Sequence, residues 1–173
     1  AIARYERAIA VDPDFQDVYY LLGRELKAQG RTDAAMRRFE EALALNPDDA
    51  RAHNEIGAVL AEEGHFDEAM RHYEQALRVQ PGFGHVLDRL GRLLAAQGRE
   101  DEAIARYRAA IAANPANQDV HYLLGRALAD QGHVEEGIAA LRQALELNPD
   151  DARAHSELGE LLAEQGRLDE ALA

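Results

Sequence analysis

All five prolines of the chain, Pro13, Pro47, Pro81, Pro115 and Pro149, stand 34 residues apart. Gly23, Gly57, Gly91, Gly125 and Gly159 keep the same step, and so do Gly30, Gly64, Gly98, Gly132 and Gly166. Three columns in phase over the whole chain mean that it folds as copies of one short unit. A unit of this size cannot enclose a core alone, so neighbouring units must stack and share one.

Between the two glycine columns of a unit the apolar residues fall three and four apart, as Leu22 and Leu26 do before Gln29-Gly30. A second such stripe follows the second glycine, as in Ala35, Phe39, Ala42 and Leu43. That spacing is the buried stripe of a helix. Glycine after the first stripe supplies the left-handed backbone that stops a helix, and Asn-Pro or Asp-Pro ends the second. Asp33, Asp67, Asp101, Glu135 and Asp169 open the second helices, where an acid caps or complements the helix dipole. Each unit therefore reads as a helix hairpin, and the fold class as all-α: an α-α superhelix, a solenoid of antiparallel hairpins.

The residues resemble a known family. Tyr19, Leu22-Gly23, Leu26, Ala35, Phe39, Ala42 and Pro47 follow the signature of the tetratricopeptide repeat. His53, Ile56-Gly57, Leu60, Ala69, Tyr73, Ala76 and Pro81 repeat it, as do Leu87, Leu90-Gly91, Leu94, Ala103, Tyr107, Ala110 and Pro115. Tyr, His and Leu stand in the column of the family's Trp. The fourth unit has Gly137 and Leu141 where the family has Ala and an aromatic, and a helical Gly costs about 1 kcal/mol relative to Ala.

In this register residues 1–15 end a second helix, 16–49, 50–83, 84–117 and 118–151 are complete units, and 152–173 begin another. Ile2 and Leu172 are core-pattern residues at the ends, so an excerpt of a longer array is expected. Residues 1–71 also align with 103–173: Gln16-Asp17-Val18 recurs as Gln118-Asp119-Val120, and Asn46 to His53 recurs unchanged as Asn148 to His155. A block of three units has been duplicated, and its surface chemistry should recur every third unit.

Composition removes several functions. Thirty-two Asp and Glu against nineteen Lys and Arg give a net charge of −13, so no basic footprint for nucleic acid exists over the chain. Cysteine is absent, and Ser156 and Thr32 are the sole hydroxyl nucleophiles, each without a motif. No apolar run is long enough to span a bilayer, so no membrane insertion is expected. His53, His121 and His155 share the column in which the family packs the hairpin with a large side chain, and read as packing residues. Successive units also hold them too far apart to share one metal ion. His65 and His72 read as a surface pair. His133-Val134-Glu135 lacks the cysteines of a deaminase site, and Asp12, Asp14 and Asp17 lack the Gly and Glu of a calcium loop. Glu62-Glu63, Glu135-Glu136 and Asp150-Asp151 read as solvated helix ends. No glycine cluster cradles phosphate. No catalytic residue, metal or cofactor is expected, and the chain itself is not read as an enzyme.

In proteins similar to this one the first helices line a concave groove that selects a partner peptide. Mapped onto this sequence, the groove positions are Asp17, Tyr20, Arg24 and Lys27; Arg51, Asn54 and Glu62; His85, Asp88 and Arg92; Asp119, Tyr122, Arg126 and Asp130; and Arg153, Ser156, Glu160 and Glu164. Six basic and seven acidic members leave this set near neutral on an acidic chain. Arg24, Arg92 and Arg126 share a column, as do Tyr20 and Tyr122. Arg and Tyr are the usual energetic anchors of interfaces, although the arginines could equally pair with groove acids such as Asp88. The carboxylate clamp of the chaperone-binding members is not reproduced, since Tyr20, Arg24 and Glu55 occupy its places. Nor is the Asn ladder of the sugar-transferase arrays, whose column holds Leu21, Glu55, Arg89, Leu123 and Glu157.

The resemblance implies a protein-interaction scaffold that binds a protein or peptide partner in its groove. Two alternatives stay open: the substrate-recruiting arm of a larger enzyme such as a glycosyltransferase, and an array that associates end to end with itself. Lys27 is the one lysine, and the Arg bias with high Ala content points to a bacterial source. The compartment is not encoded in these residues, the cytoplasm being only the default.

Overall fold

The computed structural model describes residues 1–171 and is helical throughout, with no strand among them. Leu172 lies outside the described residues. Helices α1 (Ile2–Val11), α2 (Gln16–Ala28), α3 (Thr32–Leu45), α4 (Ala50–Glu62) and α5 (Phe66–Val79) precede α6 (Gly84–Ala96), α7 (Glu100–Ala113), α8 (Gln118–Asp130), α9 (Val134–Leu147), α10 (Ala152–Glu164) and α11 (Leu168–Ala171). The chain divides into two compact units, Ala1–Pro81 and Gly82–Ala173. In the first, α2 packs on α3 and α4 on α5; in the second, α6 packs on α7, α8 on α9 and α10 on α11.

Each first helix stops the same way. Gly30, Gly64, Gly98, Gly132 and Gly166 have φ between 72° and 83°, the left-handed region in which a side chain is strained. At the end of α2, Gly30 N–H donates to the Lys27 carbonyl (2.9 Å) and Arg31 N–H to that of Leu26 (3.0 Å), the paired closure of a Schellman stop. Second helices end at Asn46, Asn114 and Asn148, whose side chains accept from the amide two residues on at 3.2–3.3 Å and so turn the chain through the proline.

The other glycine column lets the helices of a hairpin approach. A Cβ at Gly23 would stand 2.5 Å from the Phe39 ring, at Gly57 2.7 Å from Tyr73, and at Gly91 2.5 Å from Tyr107. Phe39, Tyr73 and Tyr107 are accordingly buried beneath these backbones, each contributing about 1.5–3 kcal/mol by leaving water. Gly137 does not loosen the fourth hairpin. A Cβ there would stand 2.8 Å from the Gly125 carbonyl oxygen, so this glycine, with Leu141 in place of a ring, lets α8 and α9 close backbone to backbone. In the first unit Leu22, Leu26, Ala35, Phe39 and Ile56 form one core, against which Ile2, Tyr5 and Ile9 of α1 pack. In the second, Ile138, Leu141, Ala144, Ala154, Leu161 and Leu162 form another.

The acids that open the second helices are not caps. The N-cap positions are Arg31, His65, Arg99 and His133, and no side chain caps there. Asp33, Asp67, Asp101 and Glu135 lie in the first turn, where their charge still complements the dipole.

Candidate functional site

The first-helix face is organised by two buried aspartates. Asp49 caps α4, its carboxylate accepting from the backbone N–H of Arg51 (2.9 Å) and Ala52 (3.3 Å). It also accepts from the Arg51 guanidinium at 3.1 and 2.9 Å and from the Gln16 amide, which Asn46 holds in place. Arg51 then reaches Asp17 on α2 at 2.5 Å and lies 4.6 Å over the Tyr20 ring. These bonds hold the Asp49 carboxyl below its ordinary pKa although burial alone would raise it.

The second unit repeats the arrangement. Asp151 caps α10 through Arg153 N–H (3.0 Å) and Ala154 N–H (3.4 Å), accepts from Gln118 at 3.1 Å and from Arg153 at 3.1 and 2.8 Å, while Arg153 reaches Asp119 at 2.7 Å. Arg153 stacks 4.9 Å over Tyr122. The Arg153 hydrogen bonds bring Asp151 down to about 2. Asp150-Asp151 is therefore not a solvated pair: Asp151 is 6% exposed, and it ties α8 to α10.

Asp17, Tyr20, Arg51, Asp119, Tyr122 and Arg153 are thus brought together as two inter-helix clamps, each an arginine shared between two carboxylates. Arg51 and Arg153 each commit Nε and Nη2 to their clamp. The column arginines differ. Arg24 lies 5.9 Å from the Tyr20 ring centroid and has no carboxylate partner among the described residues. Arg92 pairs with Asp88 on its own helix at 2.8 Å, not with an adjacent one. Arg126 rests against Tyr122 and approaches Glu157 of α10 at 3.7 Å. Lys27 reaches Glu55 at 3.1 Å and Glu62 at 3.9 Å across α2 and α4. Asn54 is buried and donates to Glu55 at 3.4 Å, His85 is exposed, and Ser156 donates to Glu160 at 3.3 Å.

The column histidines do not pack as buried residues. His53, His121 and His155 each place Nε2 2.8–3.0 Å from the carbonyl of the proline six residues back, and Tyr19 donates to Pro13 the same way. They latch the turn that precedes their helix. His72 pairs not with His65 but with His53, Nδ1 to Nδ1 at 2.9 Å. Burial, then the neighbouring His53, lowers the His72 pKa.

Comparison with known proteins follows the same lines. Models of the tetratricopeptide repeat match residues 20–82 and 122–173, and others match 60–106 and 91–132. The chain belongs to the tetratricopeptide repeat family. No curated protein matches it. Among solved structures, YrrB, described as a TPR protein with an unusual peptide-binding site, superposes with a TM-score of 0.87 at 23% identity over 99% of this chain and 89% of its own. MamA from Desulfovibrio magneticus RS-1 gives 0.80 at 24% identity over 91% and 89%. Pseudomonas aeruginosa PilF gives 0.80 at 25% identity over 90% and 71%. At this identity the likeness to YrrB and MamA is one of tetratricopeptide fold.

The sequence pattern left two features of the site unread. Asp49 and Asp151 escaped because adjacent acids look alike in sequence; the available signal was an Asp two residues before an Arg at the start of a helix, repeated after 102 residues. The second is a cavity of about 240 Å³ lined by Ala95, Ala96, Glu100, Tyr107, Leu123, Arg126, Ala127 and Asp130.

Proposed function

We propose that this tetratricopeptide array is a protein-interaction scaffold that holds an extended peptide segment of a partner against its first-helix faces, with no catalysis of its own. The observation that carries the reading is the division of labour among the groove charges. Arg51 and Arg153 are each committed to two carboxylates, whereas Arg24 lies 5.9 Å from the Tyr20 ring centroid with no carboxylate partner among the described residues. Its guanidinium fork is therefore the one left to meet a partner carboxylate or carbonyl. Within each unit a clamp ties one first helix to the next, so that stretch of surface is set before the partner arrives. The peptide-binding description of YrrB agrees with this use of the fold.

Charge reversal at Arg24, Arg92 and Arg126 together tests the reading. Panning a random peptide library on the wild-type chain should yield binders, and the triple variant should lose them while its circular dichroism and thermal midpoint stay as in wild type. Equal capture by the triple variant refutes the assignment of these arginines.

A further inference from the structure

The cavity of the second unit has a counterpart that the chain fills by itself. Shifting Lys27, Glu55 and Glu62 by two repeats, or 68 residues, gives Ala95, Leu123 and Asp130, and all three line the cavity. In the first unit the Lys27 stem crosses from α2 and its ammonium reaches Glu55 and Glu62 at 3.1 and 3.9 Å. In the second unit Ala95 ends at its methyl, and the space that a lysine would occupy is open. The acid at the far end, Asp130, remains.

Three polar groups face this space with no hydrogen bond or ion pair among the described residues. Tyr107 is 1% exposed, yet its hydroxyl makes no hydrogen bond among the described residues. No buried side-chain oxygen there is both sealed and unpaired, so the hydroxyl opens into the cavity it lines. Burial pushes its pKa up to about 12, which keeps it a neutral donor and acceptor. Glu100, half-buried, and Asp130, exposed, line the same space and make no ion pair or hydrogen bond among the described residues. Arg126, the one cation of the lining, stands between Tyr122 and Glu157 and is partly neutralised by Glu157 and, more weakly, by Asp130. The remaining wall is the apolar surface of Ala95, Ala96, Leu123 and Ala127.

We propose that this cavity is a receptor for one lysine or arginine side chain of a partner peptide, a proposal that rests on the reading of the first-helix face as a peptide-binding surface. The aliphatic stem lies along the alanine and leucine wall, and the cationic head meets Glu100, Asp130 and the Tyr107 hydroxyl. A volume of about 240 Å³ is below that of sites for drug-sized ligands and suits one long side chain. The long amphipathic side chains are those that bury a stem while keeping the charge satisfied at its tip.

The test is selection from a random peptide library on the wild-type chain, followed by affinities of the enriched peptides on variants. Enriched peptides should share one Lys or Arg position, and replacing it by methionine should weaken binding about tenfold or more, the loss expected for charge-assisted hydrogen bonds. Glu100→Gln with Asp130→Asn should remove that preference. Tyr107→Phe, for which Phe39 is the precedent in the first repeat, should weaken the basic peptides several-fold without lowering the melting temperature. Ala95→Lys should fill the cavity as Lys27 fills its counterpart, abolishing selection for the basic position and raising the thermal midpoint. Binders that share no basic position, or that bind the Glu100/Asp130 double variant equally well, overturn the pocket assignment and leave the groove reading standing. Selection of an acidic side chain at this position that depends on Arg126 overturns it as well. A library that yields no binder overturns both.

Discussion

Replacing Asp49 by alanine should cost about 2 kcal/mol, whereas replacing its neighbour Asp48 should cost almost nothing, although the two are identical and adjacent in sequence. Asp48 is 66% exposed and its one partner, Arg78, is 65% exposed, so their pair contributes at most a few tenths of a kcal/mol. Asp49 is 4% exposed. Its loss frees the Arg51 and Ala52 amides in the first turn of α4, about 1 kcal/mol for a missing cap. It also strips a charge-assisted partner from Arg51 and leaves the half-buried Gln16 Nε2 without its acceptor, about 1 kcal/mol more once the partial exposure of Arg51 is discounted. For a chain of this size 2 kcal/mol corresponds to about 4–8 °C in thermal midpoint. Asp49→Asn retains an oxygen at the cap and should lose about half as much. Urea denaturation of the three variants beside wild type reads the difference. Equal midpoints for Asp48→Ala and Asp49→Ala would refute the argument that Asp49 holds α2 to α4, and with it the view that the groove surface is fixed before a partner binds.

The Asp151 carboxyl sits at about 2 in the folded chain against 3.8 in the unfolded one, so its stabilisation is complete above pH 4 and is lost as pH falls towards 2; the advantage of wild type over Asp151→Asn in urea midpoint should shrink over that interval. His72 is held below its ordinary 6.5 by burial, by His53 and by Arg71, with Glu68 opposing. The unfolded chain therefore takes up the proton first, stability falls as pH drops below 6.5, and His72→Gln should flatten that fall when melting is followed from pH 7 to 5. Gly91→Ala drives a methyl to 2.5 Å from the Tyr107 ring and should cost about 1–3 kcal/mol by overpacking. Gly82→Ala meets nothing within 4 Å at an ordinary φ and should be neutral or stabilising by up to about 1 kcal/mol, a contrast that one set of thermal melts resolves.

What the sequence made legible follows from which forces are periodic. Helix stops at Gly30 and its column, close approach at Gly23 and its column, and the stripe through Leu22, Leu26, Phe39 and Ala42 repeat because every hairpin needs them, so their spacing alone announces helices, turns and core. The clamps were half legible: the recurrence of Gln16-Asp17 and of Asp49 to Arg51 three units later was visible, but not that Asp49 turns inward while Asp48 turns out. That choice depends on the cap geometry of α4 and on Gln16 arriving from the preceding first helix. Histidine was misread for a related reason. His53, His121 and His155 stand where a large ring packs, yet an imidazole has a donor that a hydrocarbon lacks, and the proline carbonyl six residues back, which no helix bond uses, accepts it. The cavity was the least legible because its walls are mostly regular. Ala95 is the rule of its column, shared with Ala61, Ala129 and Ala163, and it is Lys27 that departs and closes its own space; Tyr107 likewise shares its hydroxyl with Tyr73. The departure at the cavity is Glu100, which stands where the other units have Thr32, Phe66, Val134 and Leu168. In a chain whose regular positions maintain the solenoid, specificity has to be written in such departures, and this one sets a carboxylate beside Asp130 and the Tyr107 hydroxyl.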